Sequence, residues 1–145
     1  MRGSTDPTAV IARLVSATNA HDLDALTACF ADDYVNATPV HPAQGFTGSA
    51  QVGRNWGQLF AAIPDLRANL LATAVDDRTV WSEWELGGTR RDGSTHLMRG
   101  VIVFTIGDDV ITEARFYLEP VSVADVGIDE TIARVTHASG SGARP

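Results

Sequence analysis

The residues from Val110 to Pro120, Val-Ile-Thr-Glu-Ala-Arg-Phe-Tyr-Leu-Glu-Pro, carry the densest chemistry in the chain. Read as a strand, they place Ile111, Glu113, Arg115, Tyr117 and Glu119 on one face and Ala114, Phe116 and Leu118 on the other, because strand side chains alternate. Two carboxylates, a guanidinium and a phenol in a row are costly to bury unless they pair or react. Facing an apolar cavity, Glu119 would act as a general acid/base with a raised pKa. Tyr117 would then donate to a developing enolate oxygen. Asn36 adds an amide able to orient a carbonyl or a water. The competing reading is structural: Glu119 paired with Arg115, Tyr117 a core aromatic, and Asn36 in a local turn bond near Thr38.

The elements that must position these groups follow from hydrophobic period and turn signals. Asp6-Pro7 opens a helix over Thr8 to Ala20, with Val10, Ile11, Leu14 and Ala17/Thr18 as one apolar stripe. Asp22 caps a second helix through about Phe30. A strand follows from Tyr34 to Thr38, then a Pro/Gly-rich loop over 39–48. A third helix spans about Ser49 to Ile63 and stops at Pro64-Asp65. From Leu66 the period becomes two, giving strands 66–75, 79–87, 95–106 and 110–119, joined by turns at Asp76-Asp77, Arg91-Asp92-Gly93 and Gly107-Asp108-Asp109. This order predicts an α+β, cone-shaped barrel: three N-terminal helices on a curved antiparallel sheet. The domain spans 8–120, after a flexible start (1–7). The extension 121–145 holds one possible helical turn, Asp129 to Val135, and is flexible from about residue 137.

A two-residue turn at Asp108-Asp109 puts Phe104 opposite Glu113, Ile102 opposite Arg115 and Gly100 opposite Tyr117. The turn near Asp92 puts Trp84 opposite Gly100 and Ser82 opposite Ile102. The cavity face then carries Trp84, Met98, Ile102, Arg115, Tyr117 and Glu119, a mix of aromatics and a few polar groups that suits a small-molecule pocket. Trp56, Phe60 and Trp84 are core by default and pocket lining second. Arg115 is a candidate for holding a carboxylate or carbonyl. His41 stands in the loop at the pocket mouth as a candidate proton shuttle, and His96 at its rim. The opposite face, with Glu83, Glu85 and Arg99 beside valines, is expected to be solvated or to contact a second subunit.

A chain of 145 residues with 44% hydrophobic and 20% charged side chains is an ordinary globule of one domain. A net charge of −7, with no lysine and no basic face, argues against nucleic acid and anionic membranes. Cys29 is alone, so no intrachain disulfide forms. No signal segment or spanning stretch is visible, and a cytoplasmic location is expected. No His/Cys/Asp/Glu spacing suits a metal, and no phosphate loop or dinucleotide fingerprint calls for a cofactor.

Several segments resemble SnoaL-like polyketide cyclases of the nuclear-transport-factor-2-like superfamily. Leu26 to Pro39, ending in Ala-Asp-Asp-Tyr-Val-Asn-Ala-Thr-Pro, is similar to that family's second helix and first strand. Phe46-Thr47-Gly48 with Ala62-Ile63-Pro64-Asp65-Leu66 resembles its Gly…(Ala-Phe-Pro-Asp-Leu) segment. Trp84 to Thr89 resembles its Trp-x-x-x-Gly-Thr strand, and Val110 to Glu119 its last strand. The resemblance implies a cofactor-free pocket with Asn36 and Glu119 as site residues. Ala37 and Arg90 stand where the family often has histidines, and Glu119 where it has an aspartate. The expected function is acid/base cyclisation or isomerisation of an apolar, carbonyl-bearing molecule such as a polyketide. The alternatives are epoxide hydrolysis and a non-catalytic binding or dimerisation module. A homodimer through the outer sheet face is expected.

Overall fold

The structure, a computed structural model, describes residues 6–142, with backbone alone from residue 138. Of the ends expected to be flexible, 1–7 and from about 137, residues 1–5 and 143–145 lie outside the described residues, while Asp6 and Pro7 open the first helix and 137–142 belong to the last one. Asp6 caps α1 (Pro7–Asn19), accepting from the Thr8 amide at 2.9 Å, and Pro7 occupies the first turn, where no amide proton is required. The stripe Val10, Ile11, Leu14, Ala17 and Thr18 is buried as its spacing predicts. Asp22 caps α2 (Leu23–Thr27) through the Ala25 amide. This helix is shorter than expected. Cys29 O already accepts from Ile111 N at 2.8 Å, so Phe30 begins strand β1 (Phe30–Ala37) instead of completing a helix. Sheet pairing overrides local propensity there.

A 3₁₀ turn (Pro42–Gln44) and a two-residue strand β2 (Phe46–Thr47) occupy the loop before α3 (Ser49–Ala62). Strands β3 (Arg67–Asp76), β4 (Thr79–Thr89), β5 (Thr95–Gly107) and β6 (Val110–Pro120) follow, then α4 (Ile128–Gly142). The last helix is longer than the single turn expected at 129–135. Ile128, Ile132 and Val135 along it are exposed. Helix α1 packs on β3 and β4, and α3 on α2 and β1.

The sheet order is β2-β1-β6-β5-β4-β3. Strands β3 to β6 form the expected antiparallel meander, but β1 runs parallel to β6, pairing Asn36 with Ala114 and Ala37 with Arg115. The sheet is therefore mixed where an antiparallel one was expected. Tight hairpins force antiparallel neighbours; β1 reaches the sheet by a long connection that imposes no such direction.

The β4–β5 register is the expected one, with Trp84 opposite Gly100 and Ser82 opposite Ile102. The β5–β6 register is not. The turn itself behaves as predicted: Asp108 and Asp109 both take positive φ (50° and 66°), and Gly107 pairs with Val110. Between it and the sheet centre, however, Ile106 pairs with Ile111 and Thr105 with Glu113, leaving Thr112 as an extra residue. Beyond this bulge Phe104 faces Ala114, Ile102 faces Phe116 and Gly100 faces Leu118. One residue of slip moves every later side chain to the other face. Ala114, Phe116 and Leu118 turn inward, while Glu113, Arg115, Tyr117 and Glu119 turn outward. The expected inward placement of Arg115, Tyr117 and Glu119 is thereby corrected.

Gly100 lies where β5 bends closest to β6. Its φ is +151°, and an added Cβ would sit 2.0 Å from Tyr117 O. Gly100→Ala is expected to cost roughly 2–4 kcal/mol in urea denaturation, from overpacking plus backbone strain. Gly93→Ala, at φ +89° with open space around it, should cost only about 1 kcal/mol.

Candidate ligand-binding site

Helix α3, strand β1 and the inner faces of β4, β5 and β6 line a half-open cavity of about 360 Å³. Phe30, Phe46, Trp56, Leu86, Met98 and Phe116 supply much of its wall. A smaller apolar void of about 30 Å³ continues inward among Leu14, Trp84, Ile102 and Phe104 and shares Trp56 and Phe116 with the larger space. The inner end has no spare polar group. The Trp84 indole donates to Ser82 Oγ at 2.7 Å, and that hydroxyl donates to Ile102 O at 2.6 Å. Thr18, also on this void, donates to Leu14 O at 2.7 Å, so the polar side chains here are all buried and satisfied and this end offers only dispersion and shape to an occupant.

Polar groups gather on other parts of the wall: Tyr34, Asn36, Thr38, Gln44, Asn55 and His96. Strand alternation brings Phe30, Tyr34 and Asn36 to the inner side of β1. The Tyr34 hydroxyl donates to Asn36 Oδ1 at 2.6 Å, and burial pushes its pKa above the usual phenol range. With its oxygen occupied, Asn36 presents its amide protons to the cavity. Asn55, exposed on α3, accepts from Gln51 through its Oδ1 at 2.7 Å.

His96 stands near the start of β5, opposite Gly88. Arg90 approaches its Nδ1 at 3.3 Å. A guanidinium has only donors, so Nδ1 is the acceptor and the neutral ring carries its proton on Nε2. Desolvation first, and then the positive charge of Arg90, hold the His96 pKa below the usual imidazole value. Nε2 is the sole buried side-chain nitrogen or oxygen among the described residues without a hydrogen-bond partner. Leaving such a donor unmet costs about 1–3 kcal/mol.

Of the residues singled out in the sequence, Asn36, Trp56, His96 and Met98 line the main cavity, and Trp84 and Ile102 its inner end. Phe60 does not line it; its ring stacks on His21 with centroids 4.3 Å apart. Arg115 lies on the outer sheet face with its guanidinium over the Trp81 ring, 5.8 Å from the centroid. Tyr117 is exposed on the same face. Glu119 pairs with His41 at 3.0 Å, both side chains about half exposed. No carboxylate lines the cavity. Sequence reasoning missed Tyr34, Asn55, Phe116 and Leu118. The available signal for the last two was the unbroken apolar set Ala114-Phe116-Leu118.

Among the described residues no three His, Cys, Asp or Glu side chains form a metal-ligating group, and no helix is long and apolar enough to cross a membrane. The sequence matches the SnoaL-like domain family over residues 11–114. No curated protein matches it. Solved structures share the fold. A SnoaL-like protein of unknown function from Burkholderia thailandensis is 25% identical, with a TM-score of 0.60 over 80% of this chain and 94% of that one. A Sinorhizobium meliloti protein provisionally described as a polyketide cyclase is 22% identical, with a TM-score of 0.60 over 79% and 100%. A Mycobacterium tuberculosis protein in complex with estradiol-17beta-hemisuccinate is 21% identical, with a TM-score of 0.67 over 87% and 98%. A domain match over well over half the chain, on an α+β cone of the nuclear-transport-factor-2-like type, makes this protein a member of the SnoaL-like family.

Proposed function

We propose that the cone holds an apolar small molecule bearing a carbonyl or comparable hydrogen-bond acceptor, without a cofactor. The observation that carries this reading is the buried, unpartnered Nε2–H of His96 on a wall that is otherwise largely apolar. Asn36 adds an amide donor to the same cavity. An acceptor on the ligand satisfies His96, whereas a hydrocarbon leaves its donor unmet. The dry inner end, about 30 Å³, admits only a small apolar group, so the body of the ligand occupies the larger space. The steroid derivative bound by the Mycobacterium tuberculosis relative and the cyclase description of the Sinorhizobium meliloti one agree with a polyketide-like ligand.

In a cyclisation or isomerisation of this ligand, His96 would act through its Nε2–H as a donor to the oxygen that gains negative charge. Glu119 and Tyr117 lie on the outer face and reach no reacting atom in the cavity. Epoxide hydrolysis is less well supported, because no carboxylate on the wall is available to activate water. Simple ligand binding needs nothing beyond the groups named.

Outside, Trp81 and Tyr117 leave apolar surface exposed on the outer face of the sheet. We propose that a second copy covers it, giving a homodimer.

Fluorenone and fluorene, which differ by one carbonyl, test the ligand reading through quenching of tryptophan fluorescence. Fluorenone is expected to bind about tenfold more tightly. His96→Phe should abolish that preference, and Glu119→Gln should leave it unchanged. Equal affinities in the unmodified protein would refute the acceptor role. Sedimentation at micromolar concentration should show a dimer, and Trp81→Arg a monomer with the same circular dichroism spectrum.

A further inference from the structure

We propose that Arg90, which does not line the cavity, is a positioning residue that dictates which hydrogen-bonding face His96 turns to the ligand. The proposal rests on the ligand reading above for its functional consequence, but its structural basis is separate. Arg90 is anchored within the β4–β5 hairpin: Nη1 donates to Thr95 O at 2.6 Å and to Ser94 Oγ at 3.2 Å, while Nη2 reaches His96 Nδ1. A planar fork fixed at two points has little freedom to leave the third. An Nδ1–H, in the other tautomer or in the imidazolium, would point a proton at a group that can only donate. Arg90 therefore disfavours both states and keeps a proton on Nε2.

Other charges near the hairpin do not compete for the imidazole. Asp65 accepts from Thr89 N at 2.6 Å, and Asp92 from the amide and hydroxyl of Ser94. Arg91 is spent on Ala61 O at 2.7 Å. Glu119, at the end of neighbouring β6, is taken by His41. Asn55 and Trp56 of α3, which line the cavity with His96, carry no charge. The one charge that meets the ring is the guanidinium of Arg90. The consequence is a specificity rule: the site accepts a carbonyl oxygen at His96 and rejects an amine or hydroxyl that must donate there.

Nitrogen-15 histidine NMR reads the tautomer directly. In the unmodified protein His96 should hold the Nε2–H form through neutral pH, protonating only on acidification below the range of ordinary histidines. Arg90→Met should raise the titration midpoint and admit the Nδ1–H tautomer. Fluorenone should then bind about threefold more weakly, in proportion to the lost fraction of competent ring. Arg90→Lys retains the charge without the fork and should fall between. Ser94→Ala removes a hairpin contact of Arg90 but not its hold on Nδ1, and should leave the His96 signals unmoved. Unchanged tautomer and midpoint in Arg90→Met would overturn the proposal while leaving the ligand reading intact. Conversely, a reset ring with fluorenone affinity indifferent to both Arg90→Met and His96→Phe would uphold the control by Arg90 and sink the ligand reading.

Discussion

The last hairpin carries one residue more on its second strand than on its first, and the face of every side chain from Glu113 to Glu119 depends on it. Thr112 is that residue, unpaired in the ladder and tied to Thr105 O through its hydroxyl at 3.2 Å. Its placement lets Ile111 and Ala114, three positions apart, both be buried. Strict alternation would have put one of them in water. The bulge also lies where β1 joins the sheet, and β1 itself is irregular between Phe30 and Val35. A bend at this junction helps the sheet wrap into a cone rather than lie flat.

The energetic reason for the shifted register is the cost of the alternative. Without the bulge, Glu113, Arg115 and Glu119 would enter a cavity walled by Phe and Trp rings, at several kcal/mol for each unpaired ion. With it, each meets water or an inexpensive surface partner: Arg115 over Trp81, Glu119 with His41. Those exposed contacts contribute about 0–1 kcal/mol apiece and stabilise little. They matter because they keep charge out of the cone. Val103 sits between Trp81 and Arg115 in register and is only 1% exposed, so even this outer face has a small packed centre.

Removing the carboxylates gives the cavity its character. Asn36 Oδ1 accepts from Tyr34, and His96 Nδ1 from Arg90, so the amide of Asn36 and Nε2 of His96 remain as donors. Directional donors on an apolar wall select for position of an acceptor more than for overall affinity, because the gain is realised only where donor and acceptor meet. His41 and His96, similar on paper as loop and rim histidines, end in opposite conditions: one in a half-exposed contact with Glu119, the other with a buried, unmatched nitrogen.

Much was legible in the chain itself. The caps at Asp6 and Asp22, the α1 stripe, the α3 boundaries and the four-strand meander all follow from local period and turn chemistry, which act over a few residues. The β4–β5 register follows in the same way, and with it the inward placement of Trp84, Met98 and His96. Two things were decided only by tertiary structure. Strand β1 pairs parallel with β6 across a long connection, and no local signal sets that direction. The bulge at Thr112 carries no glycine or proline to announce it, and arises because burying Ile111, Ala114, Phe116 and Leu118 together outweighs the register that the Asp108-Asp109 turn alone would impose. The order of elements was thus a property of the sequence; which face of the final strand meets the cavity was a property of the packed core.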